Sequence, residues 1–151
     1  MEFKRMSDRR VIDLVSYVTD YLQKFPNVEL LVGCDSQNVR NETVFAAVVA
    51  LYNPGKGAHV IFRKWRTPLE RVRSVRLLNE VWYSVEIAEE IKNAGLPKVK
   101  YIDIDLNPDP KYKSNEVFRQ AVGLVEGMGY AVRYKTLGAL VTHSADGLTK
   151  Y

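Results

Sequence analysis

The chain has 151 residues, 46% hydrophobic and 26% charged, a balance that suits one globular domain over residues 1–151 with a core of useful size. Its one cysteine, Cys34, excludes an internal disulfide and a cysteine-based zinc site and fits a reducing compartment. No window approaches the roughly 18 apolar residues of a membrane span, and the first ten residues lack the apolar core of a signal peptide, so the expected setting is the cytoplasm, away from membranes.

The net charge of +4 is unevenly spread. Residues 63–76 hold six basic side chains (Arg63, Lys64, Arg66, Arg71, Arg73, Arg76) against Glu70 alone. Such a run is either a solvated surface or the footprint of a polyanion-binding face. On the second reading Arg71, Arg73 and Arg76 are nucleic-acid contacts.

In chain order, Ser7 is a candidate N-cap for a helix in which Val11, Leu14, Val15, Val18, Leu22 and Phe25 recur at helical spacing until Pro26. Leu30 to Asp35 then reads as a central strand, apolar on both faces, that ends in a carboxylate. Asp35 either sits near that strand's end, rigidly aimed by its neighbours, or opens a turn with Ser36. Thr43 to Tyr52 and His59 to Trp65 are two more strands, separated by the turn signal Asn53-Pro54-Gly55-Lys56-Gly57. Short connections predict an antiparallel meander.

Thr67-Pro68-Leu69-Glu70 has the form of a capping box with proline at the first helical position. The helix it predicts runs to Asn93, burying Val72, Val75, Leu78, Val81, Val85 and Ala88, with Glu80 and Glu86 on opposite flanks. Val99 to Leu106 is a second buried strand, with Tyr101, Asp103 and Asp105 on one face; two aspartates there are costly to bury unpaired. Asn107-Pro108-Asp109-Pro110 breaks it. A helix from Ser114 to about Gly127, a strand from Tyr130 to Lys135 and a short terminal helix after Leu140 complete the order.

A three-strand antiparallel meander followed by helices alternating with two parallel strands is the order of the ribonuclease H-like fold, an α/β class with a mixed five-stranded sheet and helices on both faces. In that fold the first and fourth strands are neighbours, which would bring Asp35 together with Asp103 and Asp105. The chain resembles the bacterial YkuK-type ribonuclease H-like family. The resemblance rests on Gly33-Cys34-Asp35-Ser36-Gln37, on Tyr83 to Ile91, on the run Asp105 to Asn115 and on Ala145-Asp146-Gly147-Leu148-Thr149-Lys150.

What the resemblance implies is a metal-dependent nuclease site. Carboxylates suit that chemistry because hard cations such as Mg²⁺ or Mn²⁺ prefer oxygen ligands, and two of them about 4 Å apart clamp a scissile phosphate. Transferred residue by residue, the resemblance implies Asp35, Asp105 and Asp146 as catalytic metal ligands. Glu80 is the preferred helical glutamate, because it lies nearer the helix start; Glu86 is the alternative.

Asp103 reads either as a spare ligand or as a partner for Lys100 or a nearby arginine. His143 is a proton shuttle or a solvated tail residue. Lys111, Lys113 and Ser114 are candidate phosphate contacts, with Ser114 alternatively no more than a helix cap. Tyr112, Trp65 and Trp82 would stack on bases if exposed. The expected activity is hydrolysis of RNA or an RNA-containing duplex such as an RNA/DNA hybrid. The alternatives are a nucleic-acid-binding module without turnover, and a small-molecule or partner-binding protein whose acidic cluster holds a structural ion.

Overall fold

A computed structural model describes residues 1–105 and 115–134 of the chain. Its seven strands and three helices follow the order β1 (Glu2–Arg5), β2 (Val11–Asp13), α1 (Leu14–Lys24), β3 (Glu29–Val39), β4 (Glu42–Asn53), β5 (Gly57–Pro68), α2 (Arg73–Asn93), β6 (Tyr101–Ile104), α3 (Asn115–Gly127) and β7 (Ala131–Tyr134). They form one mixed sheet in the spatial order β2-β1-β5-β4-β3-β6-β7. The meander β3-β4-β5 is antiparallel, and β6 and β7 continue it in parallel. The five strands expected from the sequence are all present; β1 and β2 are additional.

The extra strands correct the first helix. Val11 and Ile12 pair with Lys4 and Phe3, so α1 starts at Leu14, and Asp13 rather than Ser7 caps it by accepting from the Ser16 amide at 3.1 Å. Val11 fits the helical spacing but is half exposed; its backbone is spent on the ladder. No described helix is long and apolar enough to cross a membrane.

Strand alternation divides the molecule into two faces. Leu30, Val32 and Cys34 of β3, with Phe45, Ala47, Val49 and Leu51 of β4, pack against Leu14 and Val18 of α1, against Val81, Val85 and Ala88 of α2, and against Val117, Ala121 and Val125 of α3. All three described helices thus contribute to the core on one face of the sheet. The opposite face buries a second cluster of Leu31, Ala46, Val48, Ala50 and Phe62. Asp35 pairs with Ala46 across β3 and β4 and so belongs to this second face. The predicted terminal helix after Leu140 lies outside the described residues.

Helix α2 begins later than the Thr67 to Glu70 box predicts. Thr67 and Pro68 instead close the β4–β5 ladder opposite Thr43 and Glu42, and α2 starts at Arg73 with no side chain capping it. Val72 and Val75, expected in the buried stripe, are exposed, while Leu77, Glu80, Ser84, Ile87 and Ile91 are buried.

Candidate functional site

The site is built where two neighbouring strands part company. Asp35 lies inside β3, not in a turn, with its β4 side paired to Ala46. On its other side β6 is paired to β3 only through Leu31↔Tyr101, Val32↔Ile102 and Gly33↔Asp103, and it ends at Ile104. Carrying that parallel register two residues further sets Asp105 level with Asp35. This is the carboxyl end of a parallel strand pair, the usual crevice for a ligand in such sheets. Asp35 is half-buried and Asp105 exposed.

The third carboxylate comes from α2. Glu80 is only 5% exposed, and its Oε2 accepts a hydrogen bond from Ser36 Oγ at 2.7 Å. Arg76, one turn earlier, donates from Nη1 to Ser36 Oγ at 2.8 Å and to the Ser36 carbonyl at 2.9 Å. Burial pushes the Glu80 carboxyl well above the usual range, and the negative charge of Asp35 adds to this; the Ser36 bond and Arg76 pull the other way, and Asp105 raises it further. Asp35 and Asp105 are therefore both felt electrostatically by Glu80. The buried thiol of Cys34 is pushed well up too, first by desolvation and then by Glu80 and Asp35.

The remaining candidates fall elsewhere. Glu86 is exposed further along α2, where it lines a surface groove with Val15 and Trp82. Asp103 is buried and gripped by Arg133, whose Nε and Nη2 donate to its two oxygens at 2.7 and 2.9 Å. Lys100 pairs with Glu29 instead, at 2.8 Å. Arg71 and Arg73 are exposed beside the start of α2, whereas Arg76 is turned inward onto Ser36. Trp82 is 46% exposed, and Trp65 is enclosed by Phe45 and Tyr83. Asp146, Lys111, Lys113, Ser114, Tyr112 and His143 lie outside the described residues.

Asp35, Glu80 and Asp105 offer oxygen donors of the kind Mg²⁺ or Mn²⁺ prefers, and the like-charge pressure on Glu80 is what a cation would relieve. Among the described residues, no three acidic, histidine or cysteine side chains are grouped closely enough to hold an ion. The described set thus suits such an ion in kind and falls short of a complete shell.

A family model described as Ribonuclease H-like matches residues 11–150. The chain belongs to this ribonuclease H-like family. The match is to the YkuK type that the motif order resembles, and it brings a fold associated with nucleases and nucleic-acid binding. No curated protein matches the chain. In this ribonuclease H-like domain the matched segment begins at Val11, so strand β1 lies before it.

Sequence reasoning missed two side chains that shape the site. Ser36 sits one residue past Asp35, and strand alternation alone sends it to the helix face, where a buried glutamate needs a donor. Arg133 gives no such signal, because its pairing with Asp103 depends on β6 and β7 lying side by side in register.

Proposed function

We propose that this ribonuclease H-like domain is a divalent-metal-dependent phosphodiesterase acting on RNA or an RNA-containing duplex. The observation that carries the reading is that Asp35 and Asp105 come level where β6 leaves β3 and that both raise the buried Glu80 carboxyl electrostatically. Asp35, Glu80, Asp105 and Asp146 would hold Mg²⁺ or Mn²⁺. Bound there, the ions would supply an activated water and charge stabilisation for the leaving oxygen.

The chain's own residues supply position. Asp35 is fixed by its ladder to β4, so its carboxylate keeps one direction without further ordering. Ser36 orients Glu80 from the next position on the same strand, and Arg76 balances part of the negative charge. Asp105, exposed at the end of β6, is open to a phosphate approaching from solvent.

A second reading, a nucleic-acid-binding module without turnover, is favoured by one feature: Glu80 is already engaged by Ser36 under Arg76. The test is cleavage of labelled single-stranded RNA, RNA/DNA hybrid and DNA with Mg²⁺, Mn²⁺ or EDTA, beside Asp35→Asn. The expected result is metal-dependent cleavage of an RNA-containing substrate that falls at least about 100-fold in the variant, since a metal ligand supports several kcal/mol of transition-state stabilisation. Binding without cleavage would select the second reading.

A further inference from the structure

The basic run at residues 63–76 does not make one surface. Alternation along β5 sends Lys64 and Arg66 to the face of Asp35 and sends Arg63 to the helix side, where its guanidinium lies 5.2 Å from the Trp65 ring. Two cations from before the family match join Lys64 and Arg66. Lys4 of β1 is paired directly with Phe62 of β5. Arg9 follows in the β1–β2 turn, with a left-handed φ of 64°, and places its guanidinium 5.0 Å from the Phe62 ring.

Strand β1 pairs with β5 only at Ile61 and Phe62, so past Phe62 the two strands diverge. Into that divergence opens a groove of about 830 Å³ lined by Lys4, Arg9, Lys64 and Arg66 and reached also by Arg63 from the helix side; among its described walls Glu2 is the acidic residue. Lys64 is held below its usual range by partial burial and then by Arg66 and Arg9. Positive groups are therefore packed closely enough to oppose one another. A half-exposed ion pair from Arg66 to Glu42, at 3.1 Å, offsets little of this.

The groove also has a fixed relation to the acidic site. Lys64 pairs with Ala46, and Ala46 pairs with Asp35, so Lys64 and Asp35 share one face two strand spacings apart, about 10 Å. A nucleic-acid strand carries one phosphate per roughly 3.4 Å of helix axis, which makes that separation about three nucleotides.

We propose that the β1–β5 groove binds the sugar-phosphate backbone of a nucleic-acid strand about three nucleotides from the phosphate held at Asp35. The distance to a reacting phosphate rests on the nuclease reading above, whereas the backbone contact itself requires no turnover. A concave channel lined by separate point charges fits a strand of regularly spaced phosphates.

The test is fluorescence anisotropy with a labelled twelve-nucleotide RNA in EDTA, using the full chain, Lys64→Gln/Arg66→Gln, Lys4→Gln/Arg9→Gln, and Lys24→Gln/Lys92→Gln as a distant control. Thermal melts verify that each variant is folded. Each groove pair should weaken binding about tenfold at low salt and lower the slope of log affinity against log salt by about 1.4, since each single-strand phosphate contact contributes about 0.7. The control should change neither, and Glu42→Gln should tighten binding by releasing Arg66. Groove variants that bind like the wild type overturn the proposal, as does a wild type that binds no RNA. Displacement of the RNA by polyglutamate or phosphatidylserine vesicles at equal charge would also overturn it, by showing a general anion surface. Because binding is read in EDTA, metal-dependent cleavage with unaffected groove variants would leave the nuclease reading standing and remove only the groove.

Discussion

Glu80 is the residue whose environment has the sharpest consequence. Its carboxyl is held above the ordinary range by burial and by Asp35, so the folded chain keeps this proton more tightly than the unfolded chain does. Stability is then greatest below the ordinary glutamate value and falls as pH rises from there toward the raised value. In EDTA the melting temperature should decline as pH rises above the ordinary glutamate range, and Glu80→Gln should flatten that decline, because the amide keeps a hydrogen-bonding group without the charge. An equally steep decline in the variant would show that another group titrates. Asp103 is a contrasting carboxylate: both its oxygens are used by Arg133. The sequence marked both as candidate ligands, Glu80 on the flank of a helix and Asp103 in an apolar strand, and only their neighbours separate them.

Among the elements, α2 shows how a local signal loses to a ladder. A capping box at Thr67 would stabilise the chain by about 1 kcal/mol. Extending β4–β5 to Glu42↔Pro68 satisfies several backbone groups together, each net hydrogen bond contributing a similar amount. Glu70 is used differently as well: its amide donates to Thr43 Oγ1 at 2.8 Å, and its carboxylate accepts from the Val72 amide at 3.0 Å. The outcome leaves Val72 at the N-cap position with extended backbone, 53% exposed and without a side-chain cap. Val72→Ser should therefore raise the unfolding free energy by about 0.5–1 kcal/mol in urea denaturation; no gain would show that the first turn of α2 is satisfied some other way. The β1–β2 hairpin was illegible for a related reason, since Val11 also fits a helical period and only its pairing with β1 decides between the two.

At the scale of the whole molecule, the sheet brings to one neighbourhood carboxylates that lie 70 positions apart in the chain, Asp35 and Asp105. If they share an ion, folding and metal binding are linked. A ligand at 100 times its dissociation constant adds about 2.7 kcal/mol, which for a chain of this size is a rise of about 5–10 °C in melting temperature. Saturating Mg²⁺ or Mn²⁺ should produce that rise in the wild type and little of it in Asp35→Asn or Asp105→Asn. A wild type insensitive to both ions would remove the metal from the proposed function while leaving RNA binding to be judged by itself.

The sequence by itself determined the class of fold and the order of its five central strands, because hydrophobic periodicity and turn residues are local properties that survive in any window. It also marked Asp35 at the end of an apolar strand and the pair Asp103 and Asp105, costly to bury unpaired, while the order of its motifs pointed to Asp105 and to Glu80 or Glu86. Tertiary structure alone decided that Glu80 and not Glu86 faces β3, that Asp103 is taken by Arg133, that Arg76 turns inward, and that Lys4 and Arg9 meet Lys64 and Arg66. Each of these depends on the register between strands or the rotation of a helix about its axis. Those are set by the packing of the whole core, which no single segment encodes.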